Sequence, residues 1–90
     1  MPRYIIERNV DLSSLTDEEF HAVGVKSIEV AKELPGLRWI RSYVSEKEGK
    51  IYCEYEAPNP ELILEHSRRL GVPADKISEI KMEVSPEMFR

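Results

Sequence analysis

The sequence is poor in the residues that cross-link small proteins or bind metals at recognisable spacings. It contains one cysteine, Cys53, in 90 residues, which excludes an internal disulfide and any Cys-x-x-Cys metal site. No run approaches the roughly 20 apolar residues that a membrane-spanning helix needs. The N-terminal MPRYIIERN also lacks the pattern of a signal peptide. We therefore expect a cytoplasmic protein with no membrane partner.

An excess of positive charge is lacking as well. The chain has 13 Lys and Arg against 17 Asp and Glu, a net charge of -4, whereas nucleic-acid-binding domains usually carry a basic patch. In the segment KIYCEYEA, Glu54 and Glu56 lie where RNA-recognition sheets stack bases beside basic residues. We do not expect a nucleic-acid partner. The apolar share of 41% and charged share of 33% are those of a folded globular domain, and we expect a single domain over residues 1–90.

Hydrophobic periodicity and turn residues predict six elements in the order β-α-β-β-α-β. Thr16 and Glu19 have the spacing of a capping box at the start of the first helix. Asn59 followed by Pro60 is typical of the start of the second. The predicted strands cover residues 3–9, 37–45, 51–57 and 77–84, and the predicted helices run from Thr16 to Leu34 and from Pro60 to Leu70. This order predicts an α+β, ferredoxin-like fold, with a four-stranded antiparallel sheet and both helices on one face.

The two faces of the central hairpin follow from its turn. A two-residue turn at Glu48-Gly49 places Ile40, Ser42, Val44, Cys53, Tyr55 and Ala57 under the helices. The face away from the helices then holds Trp39, Arg41, Tyr43, Tyr52, Glu54 and Glu56. Arg41 is expected opposite Glu56, and Tyr43 opposite Glu54. In the last strand, Ile80, Met82 and Val84 are expected toward the helices, with Glu79, Lys81 and Glu83 on the other side.

An uncovered sheet face with three large aromatic side chains predicts an interface. The simplest partner is a second copy of the chain, related by a two-fold axis. Such a dimer would make Trp39, Arg41, Tyr43 and Tyr52 either interface residues or the lining of a ligand pocket. A solvated face with scattered aromatic residues is the alternative.

Candidate metal ligands are few. His66 lies on the apolar stripe of the second helix with Leu62 and Leu70. It is expected to be either a buried histidine bonded to Tyr55 or a backbone carbonyl, or a metal ligand, since imidazole binds nickel, copper, zinc and iron. Glu65 precedes it but points to the helix flank.

The remaining titratable residues carry weaker signals. His21 lies near the start of the first helix, with Asp17 four residues earlier, and a surface histidine without a partner is the expected state. Several strand carboxylates, Glu7, Glu54, Glu56, Glu79 and Glu83, are either solvated, paired with basic residues, or cation ligands. Cys53 is expected in the core. No catalytic constellation is present, and a non-enzymatic protein is expected.

Four segments resemble a small bacterial family of uncharacterised proteins described as nickel-binding. They are MPRYIIERN, WIRSYV, YCEYEAP and EHSRRLGVPADKISEI, and together they span nearly the whole chain. The chain departs from the family at Ser67, where alanine is expected, and at Gly24, in an otherwise alanine-rich helix. The resemblance implies a ferredoxin-like fold, a homodimeric α/β barrel, and binding of a divalent metal such as nickel.

The resemblance does not assign metal ligands, so the candidates come from side-chain chemistry. They are His66, Glu65 and Glu56, followed by Tyr43, Glu54 and His21. Three functions are compatible with the sequence: a metal-binding homodimer, a small-molecule-binding or monooxygenase-like dimeric barrel with an aromatic pocket, and a structural interaction domain.

Overall fold

The computed structural model describes residues 1–90 and contains one four-stranded antiparallel sheet with two helices. Its elements are β1 (Arg3–Asn9), α1 (Asp17–Lys32), β2 (Arg38–Ser45), β3 (Lys50–Glu56), α2 (Pro60–Leu70) and β4 (Lys76–Ile80), with short 3-10 turns at Leu12–Ser14 and Pro86–Phe89. The strand order across the sheet is β2-β3-β1-β4. This arrangement confirms the predicted ferredoxin-like fold. Neither helix has the length and apolar character needed to cross a membrane.

The helix ends confirm the signals found in the sequence. Thr16 Oγ1 accepts a hydrogen bond from the backbone N–H of Glu19 at 3.1 Å, and Glu19 Oε1 accepts one from the N–H of Thr16 at 2.9 Å. This reciprocal pair satisfies two N–H groups that a helix start leaves free. Asn59 Oδ1 caps α2 by accepting from Leu62 N at 3.0 Å. Gly71, with φ of +73°, ends α2 in the left-handed conformation that glycine adopts without strain.

The core lies between the sheet and the helices. Alternate side chains of β1 and β3 point into it, because successive residues of a strand face opposite sides. The buried apolar residues are Tyr4 and Ile6 from β1, Cys53 and Tyr55 from β3, Ala57 after it, Val30 from α1, Leu34 and Leu37 from the connection that follows, and Ile63 from α2. The predicted positions of Cys53, Tyr55 and Ala57 under the helices are confirmed.

The hairpin turn contains four residues, so the predicted two-residue turn at Glu48-Gly49 is wrong. Ser45 pairs with Lys50 across the ladder, and the N–H of Gly49 donates to Glu46 O at 3.1 Å. The register differs by two positions from the predicted one, which preserves the side-chain faces but changes the partners. Arg41 therefore lies opposite Glu54, and Tyr43 opposite Tyr52.

A β-bulge places Trp39 on the side of the sheet opposite to that predicted. The register shifts by one residue between Trp39 and Arg41, so that Trp39 pairs with the buried Tyr55. A bulge inserts one residue into one strand, and every side chain before it changes face relative to a regular ladder. The indole packs against the core, and its Nε1–H donates to Ser42 Oγ at 2.9 Å.

The last strand is shorter than predicted, and its faces are reversed. Its final pair joins Ile80 to Arg3, the first residue of β1, so β1 offers no ladder partner beyond Ile80. Glu79 pairs with the buried Tyr4 on the helix side, and Ile80 lies on the other side. Met82 and Val84, predicted to be half-buried, are 62% and 58% exposed. Of the charged residues predicted opposite them, Lys81 and Glu83 lie beyond the strand.

We call the side of the sheet away from the helices the open face. Its side chains alternate with the buried ones along each strand, and many of them are charged. The open face comprises Arg3, Ile5, Glu7 and Asn9 of β1, Arg38, Arg41, Tyr43 and Ser45 of β2, Lys50, Tyr52, Glu54 and Glu56 of β3, and Lys76, Ser78 and Ile80 of β4.

Replacing the indole of Trp39 tests its position in the core. Trp39→Ala is expected to lower the free energy of unfolding by about 3 kcal/mol, because it leaves a cavity beside Tyr55. Leu64→Ala, at a residue of α2 that is 48% exposed, should change it by less than about 0.5 kcal/mol. Urea denaturation at pH 7.5 measures both. Equal, small effects would place Trp39 outside the core.

Candidate functional site

A cavity of about 520 Å³ lies on the helix side of the sheet. It is bounded by the first half of α1, by the β2–β3 hairpin, and by the chain that follows α2. Most of its lining is apolar and includes Phe20, Val23 and Gly24 of α1, with Trp39 and Ile51 of the hairpin. Phe20 is 46% exposed and Val23 38% exposed, so the cavity has an apolar rim. We call it the helix-side cavity.

One wall of the helix-side cavity carries a buried cation. Arg8 on β1 is only 4% exposed. Its Nη1 donates to Ser67 Oγ at 2.9 Å and to Pro73 O at 2.6 Å, and its Nη2 donates to Tyr55 Oη at 3.2 Å. None of the ion pairs in the structure involves Arg8. The guanidinium is therefore hydrogen-bonded to neutral oxygen atoms, and its Cζ lies 5.8 Å from the centroid of the Tyr55 ring, at the distance of a cation–π contact.

His66 is fully buried under α2, which confirms the interpretation of a buried histidine bonded to a backbone carbonyl. Its Nε2–H donates to Ser27 O at 3.0 Å, and its ring makes an edge-to-face contact with Tyr55 at 5.4 Å between centroids. Nδ1 has no hydrogen-bond partner. Burial lowers the pKa of His66, and the charge of Arg8 lowers it further. His66 is thus kept neutral.

Glu65 does not join His66 in a common site. Its carboxylate accepts from Arg68 Nε at 3.0 Å and from Arg69 Nε at 2.7 Å on the outer side of α2. Hydrogen bonds from Arg68 and then Arg69 lower the pKa of Glu65 to about 2. The carboxylate is already neutralised by two guanidinium groups.

The glutamates of the open face are paired with basic residues. Glu54 lies 2.9 Å from Arg3 Nη1 and 4.0 Å from Arg41 Nε. Glu56 lies 3.5 Å from Arg38 Nε, in a pair whose arginine side chain is 64% exposed. Exposed pairs of this kind contribute at most about 1 kcal/mol, so a competing cation would displace the arginine from Glu56 more easily than the arginines from Glu54.

The remaining candidates lie apart from one another. His21 is exposed on α1, as predicted, and Cys53 is a buried free thiol, as predicted. Glu79 is exposed on the helix side of β4. Tyr43 is 59% exposed and lies opposite the half-buried Tyr52 on the open face.

The residues of one chain do not fit a nickel site. Nowhere do three His, Cys, Asp or Glu side chains converge in a way that could hold a metal ion. The two strongest candidates, His66 and Glu56, lie on opposite sides of the sheet. The guanidinium of Arg8 near His66 also opposes a cation there. Any ordinary coordination shell would need ligands from outside a single chain.

The predicted aromatic pocket is also not formed as expected. Arg41, Tyr43 and Tyr52 share the open face, but Trp39 lines the helix-side cavity on the opposite side. Sequence reasoning missed both that cavity and Arg8. The burial of Arg8 could have been predicted, because Arg8 follows Tyr4 and Ile6 at every second position of β1 and therefore points to the same, buried side.

Comparisons with known proteins relate the chain to one family. The profile of the family described as "Nickel responsive protein SCO4226-like" matches residues 4–80. The crystal structure of SCO4226 from Streptomyces coelicolor A3(2) superposes with a TM-score of 0.77 at 22% sequence identity, and the match covers 91% of this chain and 99% of that chain. At that identity the likeness supports the fold alone. No curated protein matches the chain significantly.

Protonation of His66 is expected to couple folding to pH. Since its pKa is lowered in the folded state, the unfolded chain binds more protons as the pH falls below the ordinary value of about 6.5. The stability linked to His66 is therefore complete above that value and declines below it, by at most about 1.4 kcal/mol per pH unit. Urea denaturation at pH 7.5 and 5.5 measures the decline.

Two glutamine variants identify the source of that decline. His66→Gln keeps a donor for Ser27 O and should reduce the loss of stability between pH 7.5 and 5.5. His21→Gln, at the exposed histidine, should leave the loss as in the wild type. A decline that persists unchanged in His66→Gln would show that other groups cause it.

Proposed function

This chain belongs to the family of SCO4226-like nickel responsive proteins, and we propose that it acts as a homodimer that binds nickel at the contact between its subunits. The observation that carries the proposal is the open face, which no element of the chain covers and which holds paired carboxylates. The family is named for its response to nickel, yet the candidate ligands of one chain lie too far apart to form a site. A site that takes ligands from two copies would account for both facts.

The charges of the open face suit a second copy of the same chain. Its ion pairs, counted together with Glu83, which bonds to Arg3, involve five basic and four acidic side chains. The chain as a whole has a net charge of -4, so this surface repels a second copy less than the rest of the molecule does. Tyr43 and Tyr52 lie opposite each other on neighbouring strands of this face, and tyrosine is enriched in protein interfaces.

The C-terminal segment extends the surface that needs cover. Residues 81–90 follow β4 and carry four exposed apolar side chains: Met82, Val84, Met88 and Phe89, between 58% and 76% exposed. Glu83 Oε1 accepts from Arg3 Nη2 at 3.2 Å, which keeps the start of this segment beside the open face. A partner seated on the open face would also bury part of these side chains, at about 25 cal/mol per Å² of apolar area.

Nickel binding between subunits is supported by the chemistry of Glu56. Its carboxylate is held by one largely exposed arginine, whereas Glu54 has two basic partners and is 13% exposed at its side chain. Two copies of the open face would bring carboxylates from both chains together around a two-fold axis. Ni(II) accepts nitrogen and oxygen ligands, and the open face offers carboxylate oxygens.

The dimer can be tested by placing a charge on the open face. We expect wild-type protein at micromolar concentration to sediment with twice the mass of one chain, and Tyr43→Glu to sediment as a monomer. Leu64→Glu is the matched control, because it charges a similarly exposed apolar residue on α2 and should leave the dimer intact. A wild-type monomer, or a dimer that survives Tyr43→Glu, would contradict the proposed interface.

Nickel binding can be tested by calorimetric titration of untagged protein. We expect heat of binding for the wild type, a reduction of at least about tenfold in affinity for Glu56→Gln, and loss of binding in the monomeric Tyr43→Glu variant. Glu65→Gln removes a carboxylate held by Arg68 and Arg69 and should bind nickel as the wild type does. Binding retained by the monomer would place the site within one chain. A dimer that binds no nickel would instead support a structural interaction domain.

A further inference from the structure

The helix-side cavity combines an apolar lining with one buried, uncompensated positive charge. We propose that it binds a small monocarboxylic acid, whose carboxylate pairs with Arg8 and whose apolar body fills the space between α1 and the hairpin. The cavity is on the side of the sheet opposite the open face. The proposal therefore depends neither on the dimer nor on nickel.

The argument begins with the charge of Arg8. A charge removed from water is costly unless it is paired and hydrogen-bonded. Arg8 has hydrogen bonds to Ser67, Pro73 and Tyr55, but no carboxylate lies within ion-pairing distance. An anion that entered the cavity would supply the missing opposite charge. If the fold alone required a counter-charge for Arg8, a carboxylate of the chain itself would be expected beside it.

The unused donors of Arg8 match a carboxylate. A guanidinium has five N–H groups, and three of them are occupied by protein oxygen atoms. The Nε–H makes no hydrogen bond within the chain, and Nη2 bonds to a single acceptor, so the guanidinium retains N–H groups that can donate to a carboxylate. Arg8 is one of the residues that line the cavity.

A single negative charge fits better than a phosphate ester. One guanidinium balances one carboxylate, whereas a phosphate monoester carries nearly two charges at neutral pH, and no second cation lines the cavity. The other polar groups there are neutral hydroxyls, including those of Ser27 and Ser42. The volume of about 520 Å³ lies in the range of small-molecule sites.

The apolar part of the ligand follows from the lining. Phe20, Val23 and Val44 surround the mouth and are 38% to 50% exposed. Gly24 adds space, because a Cβ built on it meets no atom within 4 Å. An alkyl chain or an aromatic ring would bury these surfaces, whereas a sugar or another strongly polar body would leave its hydroxyl groups unpaired against them.

The probe for the experiment is octanoate, with octanamide as its uncharged counterpart. The chain has one tryptophan, and Trp39 lines the cavity, so its intrinsic fluorescence reports occupancy. Because Arg8 also ties β1 to α2 and β3, the charge is removed from the ligand and not from the protein. We expect saturable binding of octanoate, and binding of octanamide at least about tenfold weaker.

A variant that fills the cavity locates the site. Gly24→Leu projects a side chain from α1 into the cavity without a clash at Cβ and should weaken octanoate binding at least about tenfold. The matched control is Ala22→Leu, at an exposed residue of the same helix outside the cavity, which should bind as the wild type does. Circular dichroism verifies that both variants are folded.

Three results would overturn the proposal. The first is no saturable change in Trp39 fluorescence with octanoate. The second is equal affinity for octanoate and octanamide, which would show that Arg8 does not recognise the carboxylate. The third is unchanged binding in a folded Gly24→Leu variant, which would place octanoate elsewhere. Each is measured without nickel and at protein concentrations where the oligomeric state is known, so failure here is distinct from failure of the proposed dimer.

Discussion

The packing of the helices on the sheet depends on Arg8, because its guanidinium is buried between them and all its hydrogen bonds go to neutral oxygen atoms. One hydroxyl comes from α2, one from β3, and a carbonyl from the chain beyond α2. These contacts fix the end of α2 against the sheet. They also place His66, next to Ser67 in the chain, close enough for the same charge to lower its pKa. The loop that supplies the carbonyl of Pro73 is also one wall of the helix-side cavity.

Features that depend on a few neighbouring residues were predictable from the sequence. Thr16 with Glu19, Asn59, and Gly71 each act within about four residues of themselves, and the helix ends occur where those signals place them. The burial of His66 was likewise predictable, since its apolar neighbours Leu62 and Leu70 follow helical spacing. The element order then determined the fold class.

Features that depend on a partner strand were not predictable. The length of β4 is limited by Arg3, where β1 begins, and no property of Met82 or Val84 reveals that limit. The position of Trp39 depends on a bulge in β2 that is visible only in the pairing of β2 with β3. The separation of the candidate metal ligands was unpredictable for a similar reason. Whether a residue on a helix lies near a residue on the sheet depends on the strand register, which the sequence does not reveal.

The bulge in β2 also matters at the margin of the sheet. In the order β2-β3-β1-β4, β2 is an outermost strand, and a regular outer strand offers its free N–H and C=O groups to any other extended chain. An irregularity between Trp39 and Arg41 interrupts that row of groups, and the charged side chains of Arg38 and Arg41 flank it. Pairing of another extended chain with this edge of the sheet is thereby discouraged.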